Sequence, residues 1–209
     1  MKMFRKFWHN ETGSIPIEGI YASLLLLGWF AVAFQISDAF RTRLLASQAS
    51  YAVGDLISRE QNAIGPTYVN GLKKVFDFIS RVPNSTYTWM RVTLISCSAV
   101  SNTNNCNGTS KVFSLVSSYS TAEANGVHKH TQTTINQDAA KIPVMAAGDM
   151  AVIVETSMRY YPIFGIGDRS FRTGGSTAFT SMGLSEKLRF SNFVVTRPRG
   201  PRTVWDVTK

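Results

Sequence analysis

Apolar residues are spread unevenly along this chain, and their spacing changes from one stretch to the next. From Gly19 to Ile36, GIYASLLLLGWFAVAFQI, eighteen residues pass without a formal charge. A helix of that length spans roughly 27 Å, close to the hydrocarbon thickness of a bilayer. Beyond it the residues turn polar while the helical spacing persists. Ile36, Phe40, Leu44, Tyr51 and Leu56 with Ile57 recur along one pattern, and Arg41, Arg43, Gln48, Asp55 and Arg59 fall between them. No proline interrupts before Pro66, which cannot continue a helix. The pattern predicts one helix from Ile15 to Gln61, its first half in lipid and its second half amphipathic, with an apolar face able to dock other helices.

The next stretch, Thr67 to Arg81, places Val69, Leu72, Val75, Phe76 and Ile79 on one stripe and predicts a short helix packed on a sheet. Strand patterns follow at Thr86–Val100, Lys111–Ser118, Ala151–Tyr161 and Leu188–Thr196. In the third of these, Val152, Val154 and Met158 are candidate inward positions. Thr121–Gly148 is polar and rich in Thr, Asn and Gln, and reads as loop. Pro162–Gly183 is glycine-rich and reads as a long excursion between the last two strands. The fold class is α+β: a long N-terminal transmembrane helix extending into a small exported domain with a short helix and an antiparallel sheet. The boundaries are a cytoplasmic basic leader at 1–13, a transmembrane helix at 14–37, an exported extension of that helix at 38–65, and an exported α+β domain at 66–209.

Charge sets the orientation. Lys2, Arg5 and Lys6 precede the apolar run, and short flanking Lys/Arg segments stay on the cytoplasmic side, so the remainder is expected outside. The formal net charge of +9 is not confined to that leader. Arg169, Arg172, Lys187, Arg189, Arg197, Arg199 and Arg202 concentrate it near the C-terminus, where it either faces anionic lipid heads or an acidic partner, or is simply solvated. No helix-turn-helix, zinc-finger or RNP-like pattern accompanies the charge, so nucleic acid is not the expected partner.

The chain has two cysteines, Cys97 and Cys106, both beyond the apolar run. An even pair in an exported domain reads as a disulfide. Closing a loop of about ten residues stabilises by roughly 2.5–3 kcal/mol at best. A cysteine metal site is not expected, because no two further ligands lie nearby.

Six residues at the mouth of the helix, Gly13-Ser14-Ile15-Pro16-Ile17-Glu18, carry the strongest local signal. A carboxylate at a membrane helix end is costly. Cleavage after Gly13 would give Ser14 a new amine one helical turn from Glu18, and stacked copies of such helices can pair that carboxylate with a neighbour's amine. The competing reading has Glu18 reaching to the headgroup boundary. A second processing pattern, Ala31-Val32-Ala33, fits an ordinary signal peptidase that would release a soluble domain.

The basic leader, the Gly13-Ser14 junction, Glu18 and the long helix resemble type IV pilin-like proteins, and more narrowly the TadE/TadF-type minor pseudopilins of tight-adherence (Flp) pilus systems. The stretch from Ala151 to Phe164, AVIVETSMRYYPIF, is similar to that family's strand and aromatic-Pro turn, and Val195-Thr-Arg-Pro-Arg199 to its C-terminal ending. The resemblance implies a non-enzymatic single-pass subunit of a pilus assembly or secretion machine in the bacterial inner membrane. Its N-terminus would be cytoplasmic and its C-terminal domain periplasmic. The implied partners are other pilin-like and Tad assembly subunits through the N-terminal helix, a prepilin peptidase acting at Gly13, and membrane lipids. A membrane-anchored exported binding module or adhesin, or a tethered envelope enzyme, are the alternatives.

Little catalytic chemistry is visible. His128 and His130 flank Lys129, and no acidic or cysteine residue is spaced nearby as a third ligand, so they read as a solvated, dispensable loop pair rather than a metal site. Gly165–Asp168 and Thr173-Gly174-Gly175-Ser176 lack the strand, helix and lysine of a phosphate-binding loop and read as turns. There is no Gly-x-Ser-x-Gly nucleophile context. No cofactor, metal or catalytic residue is expected.

Overall fold

The computed structural model describes residues 14–97, 99–100, 103–104, 106, 111–163, 171–173, 176–179, 188–200 and 203–209. They fall in two compact units: Met1–Phe40 with Pro162–Ser185, and Arg41–Tyr161 with Glu186–Lys209. Gly13, Gly165–Asp168, Arg169, Gly174, Gly175, Lys187 and Arg202 lie outside the described residues.

The first unit holds the start of helix α1 (Ser14–Arg59), which runs unbroken for 46 residues. Its apolar segment is long and apolar enough to cross a membrane. Leu25, Leu26, Trp29 and Phe30 are each more than 70% exposed, which water would not tolerate over so long a run. The helix continues through Ala31-Val32-Ala33. The same unit holds strands β6 (Phe171–Thr173) and β7 (Ser176–Phe179), an antiparallel hairpin within what the sequence reads as plain excursion.

The second unit is built on a four-stranded antiparallel sheet. Its strands are β1 (Thr88–Ser96), β4 (Ser114–Ser120), β5 (Met150–Arg159) and β8 (Arg189–Thr196), in the order β4-β1-β5-β8. The two-residue strands β2 (Ala99–Val100) and β3 (Thr103–Asn104) pair with each other in the cysteine loop. A register shift between Leu94 and Ile95 leaves Val116 bulged from β4.

Alternation along the strands sends side chains to both faces, and both faces are buried. Met90, Val92 and Leu94 of β1 join Val152, Val154 and Met158 of β5 beneath the helices. There they meet α1 through Ala46, Ala49, Val53 and Ile57, and helix α2 (Pro66–Ile79) through Val69, Leu72 and Phe76. Small residues at 46, 49 and 50 let the α1 backbone approach the strands closely enough for Ser50 Oγ to bond Thr156 Oγ1 at 2.7 Å. Of the apolar pattern read from sequence on this half, only Ile57 is buried. Ile36, Phe40, Leu44, Tyr51 and Leu56 are 44–66% exposed.

Ile95 and Ile153 point the other way, into a second cluster with Phe113, Ile135, Ile142 and Met145. That cover comes from the segment the sequence reads as loop. It contains helix α3 (Gln132–Gln137), started by a capping box between Thr131 and Thr134, and short 3-10 turns on either side. The Gln132 and Asn136 side chains accept from Leu115 N and Phe113 N at 2.8 Å, closing part of the β4 edge.

The C-terminal segment returns to the start of α2. Ile64 bridges to Trp205 in parallel, Asp206 N donates to Ile64 O at 2.9 Å, and Thr67 N donates to Lys209 O at 2.6 Å. Gly65 leaves the space for this: a Cβ there would collide with Asp206 O and lie 2.6 Å from Lys209 O.

Candidate functional site

Two of the residues singled out at the helix mouth can be placed on α1. Ser14 begins α1, and Glu18 is exposed on its surface. Cys97 and Cys106 lie in the second sheet cluster with their sulfurs at disulfide distance, 2.02 Å apart. Cys97 closes the turn at the end of β1: its N–H donates to Asp149 O and its carbonyl accepts from Gly148 N, at 2.9 and 2.8 Å.

The histidines depart from expectation. His128 is exposed, but His130 is buried at 5% exposure and is no solvated loop residue. Its Nε2 lies 2.8 Å from Glu155 Oε2, and its Nδ1 lies 3.0 Å from Thr134 Oγ1. Glu155 also receives the Arg91 guanidinium on both oxygens, at 2.6 and 2.7 Å. A further Arg91 nitrogen donates to the carbonyl of His128 at 2.8 Å, and the His130 N–H donates to Ser118 Oγ at 2.9 Å.

This network therefore ties the cover segment to the two central strands. Arg91 and Glu155 are direct cross-strand partners, which places opposite charges where they attract. Burial alone would push the Glu155 carboxyl up. The hydrogen bonds and charges of His130 and Arg91 outweigh burial and hold it down at about 2. Spacing could not reveal Glu155 as the partner of His130, because the two meet only when β5 pairs with β1.

His130, Glu155 and Asp138 each offer a ligand atom within 4.8 Å of the others, the acidic company the local sequence lacks. The set nevertheless does not suit a divalent cation. Arg91 occupies both oxygens of Glu155, and Lys141 Nζ sits 2.7 Å from Asp138 Oδ1. The two carboxylates are already neutralised by two cations, and a third positive centre would be repelled. The cluster is a charge-balanced clamp, with each ring nitrogen of His130 satisfied.

Two surface features remain. One is the exposed apolar row of Phe40, Leu44 and Tyr51 on α1, continuing from Ile36 at the end of the apolar run. The other is an open groove of about 940 Å³ between the end of β1, the Val116 bulge and the C-terminal segment Thr203–Val207. Arg197 and Arg199 of the basic C-terminal region are engaged, on Asp149 at 2.7 Å and on Asp55 at 2.9 Å.

Compared with known proteins, the chain matches no family profile, no curated protein and no solved structure.

Proposed function

We propose that the chain is a non-enzymatic, single-pass inner-membrane subunit of a tight-adherence (Flp, type IV-like) pilus assembly or secretion machine, TadE-like in kind. Its N-terminus is cytoplasmic and its sheet domain periplasmic. The observation that carries this reading is the construction of α1. One uninterrupted helix has an apolar first half, exposed from Ile17 to Phe34 except at Ala31, and beyond it an exposed row of Phe40, Leu44 and Tyr51 that the domain itself does not cover. Bulky apolar side chains left open on a helix that leaves the bilayer suit docking against the helices of neighbouring pilin-like subunits. The sequence resemblance at Gly13-Ser14 and Glu18 supports the same assignment and makes a prepilin peptidase the processing partner.

The test is to replace Phe40 and Leu44 together with Glu. Membrane insertion and domain folding should persist, while co-purification with other pilin-like subunits and pilus assembly should fall. Normal assembly by this variant would overturn the reading. A second reading, an anchored binding module, is favoured by the groove beside Val116 and Trp205; intact assembly in the double variant would make that groove the next place to look.

A further inference from the structure

The two edges of the four-stranded sheet are treated differently. At the β4 edge, Gln132 and Asn136 of α3 accept from Leu115 N and Phe113 N, and the Gln132 amide donates to Phe113 O. The opposite edge is β8, whose pairing with β5 runs from Arg189 to Thr196 without a register shift. Tyr160 N donates to Leu188 O at 2.8 Å, which fixes the alternation along that pair. Phe190, Asn192, Val194 and Thr196 turn their main-chain groups toward β5, and Arg189, Ser191, Phe193 and Val195 turn theirs outward. The N–H and C=O groups of those four outward residues have no hydrogen-bond partner among the described residues. Proteins usually blunt such an edge with a proline, a bulge or a charge. Between Phe190 and Thr196, β8 has none of these.

Charge selects what can lie along this edge. Arg189, Arg197, Arg199 and Arg202 are the only charged residues from Leu188 to Trp205. Arg189, at the start of the strand, is exposed and makes no ion pair among the described residues. The unit that carries the sheet holds seventeen Lys and Arg against nine Asp and Glu, a net charge of +8. A second copy laid along β8 would meet like charge, and its own β4 edge is partly closed by Gln132 and Asn136. An acidic strand meets opposite charge. The edge strand also holds an unused donor: Asn192 Nδ2 is buried and has no hydrogen-bond partner. A carboxylate side chain on an added strand is the kind of acceptor it lacks.

We propose that the outer edge of β8 is a strand-addition site that takes an extended acidic segment of a partner polypeptide as a fifth strand. The outward main-chain groups of Arg189, Ser191, Phe193 and Val195 supply the affinity, and the charge at Arg189 favours carboxylates over cations. The inference concerns the sheet-bearing unit alone and does not depend on how α1 is anchored.

The test uses the full chain in detergent and a labelled, strand-length acidic peptide in which Glu alternates with Val and Thr. Hydrogen exchange is read residue by residue along β8. With the peptide at saturation, the amides of Ser191, Phe193 and Val195 should slow by about tenfold. Those of Phe190, Asn192 and Val194, already bonded to β5, should not change. The same peptide N-methylated at alternate residues cannot pair along an edge and should not bind. Its Lys-for-Glu counterpart should bind about tenfold more weakly. Ser191→Pro removes one outward N–H and leaves the main-chain ladder to β5 intact, and should weaken binding by about fivefold. Should that variant melt early, the N-methylated peptide makes the same test without altering the chain. No binding of the acidic peptide, equal binding of the N-methylated one, or equal slowing at outward and inward amides overturns the site. Equal or tighter binding of the Lys peptide overturns the acidic partner. Slowing of the same alternate amides as protein concentration rises, with no peptide present, overturns it in favour of a second copy.

Discussion

From Ile17 to Phe34 every side chain of α1 except Ala31 is exposed, whereas from Ala46 to Ile57 the same helix buries Ala46, Ala49, Ser50, Val53 and Ile57 against the sheet. The exposed stretch is the more apolar of the two, and the buried face includes alanine and serine. Hydrophobicity alone therefore does not decide which part of this helix packs within the domain. Close approach does: a face of small side chains lets backbone and strand come near enough for dispersion contacts and for the Ser50–Thr156 hydrogen bond, and bulky residues at the same positions would hold them apart. The large apolar side chains of the second half, Phe40, Leu44 and Tyr51, are left on the outside. A surface of that kind is no part of the chain's own core.

The largest expected effect comes from the clamp opposite the helix. Glu155→Ala leaves Arg91 and His130 without their shared partner in a mostly buried setting, and should lower stability by about 3 kcal/mol, read as a depressed melting temperature of the full chain in detergent. Unchanged melting would mean that the cover segment is held by its apolar contacts alone. His130→Ala should also destabilise, in contrast to the dispensability read from sequence.

The same clamp predicts an acid limb. The folded Glu155 carboxyl sits at about 2, below its ordinary 4.5. Its contribution is therefore fully present above pH 4.5 and is lost as pH falls toward 2. Across that window the wild type should lose up to about 3 kcal/mol, while Glu155→Gln should show a flatter profile. Profiles that superimpose would show that the carboxylate is not held by its partners.

Within α1, Ala49→Leu should cost about 1–3 kcal/mol through overpacking against the strands. Leu44→Ala, a loss of bulk on the exposed face, should stay within about 0.5 kcal/mol. Comparing the two melting temperatures sharpens the contrast between the faces. Equal effects would mean that the packed face has been misassigned.

Sequence reading reached α1 and α2 because long periodic segments with a proline between them have few alternatives. It reached the four main strands because β-branched and aromatic runs such as Ala151–Tyr161 report local preference. It missed α3, whose six residues, Gln132–Gln137, are polar except for Ile135 and so carry no apolar period. Only the capping pair Thr131 and Thr134 signalled a helix start there. It also missed the packing face of α1, since alanine and serine at 46, 49 and 50 look unremarkable beside phenylalanine and leucine.

What the sequence by itself determined is the local and the additive: one long helix with an apolar first half, an α+β domain after it, a basic chain, and two cysteines close enough to bond. What only the tertiary structure decided is which distant residues meet. Glu155 becomes the partner of His130 and Arg91 through β5 pairing with β1. Arg159 is set opposite Arg189 by the register of β8, and Gly65 is required because the chain returns more than a hundred residues later to lie against it. Periodicity records how a segment relates to a face. Register and chain return are set by the whole core packing at once, and no short stretch of residues contains them.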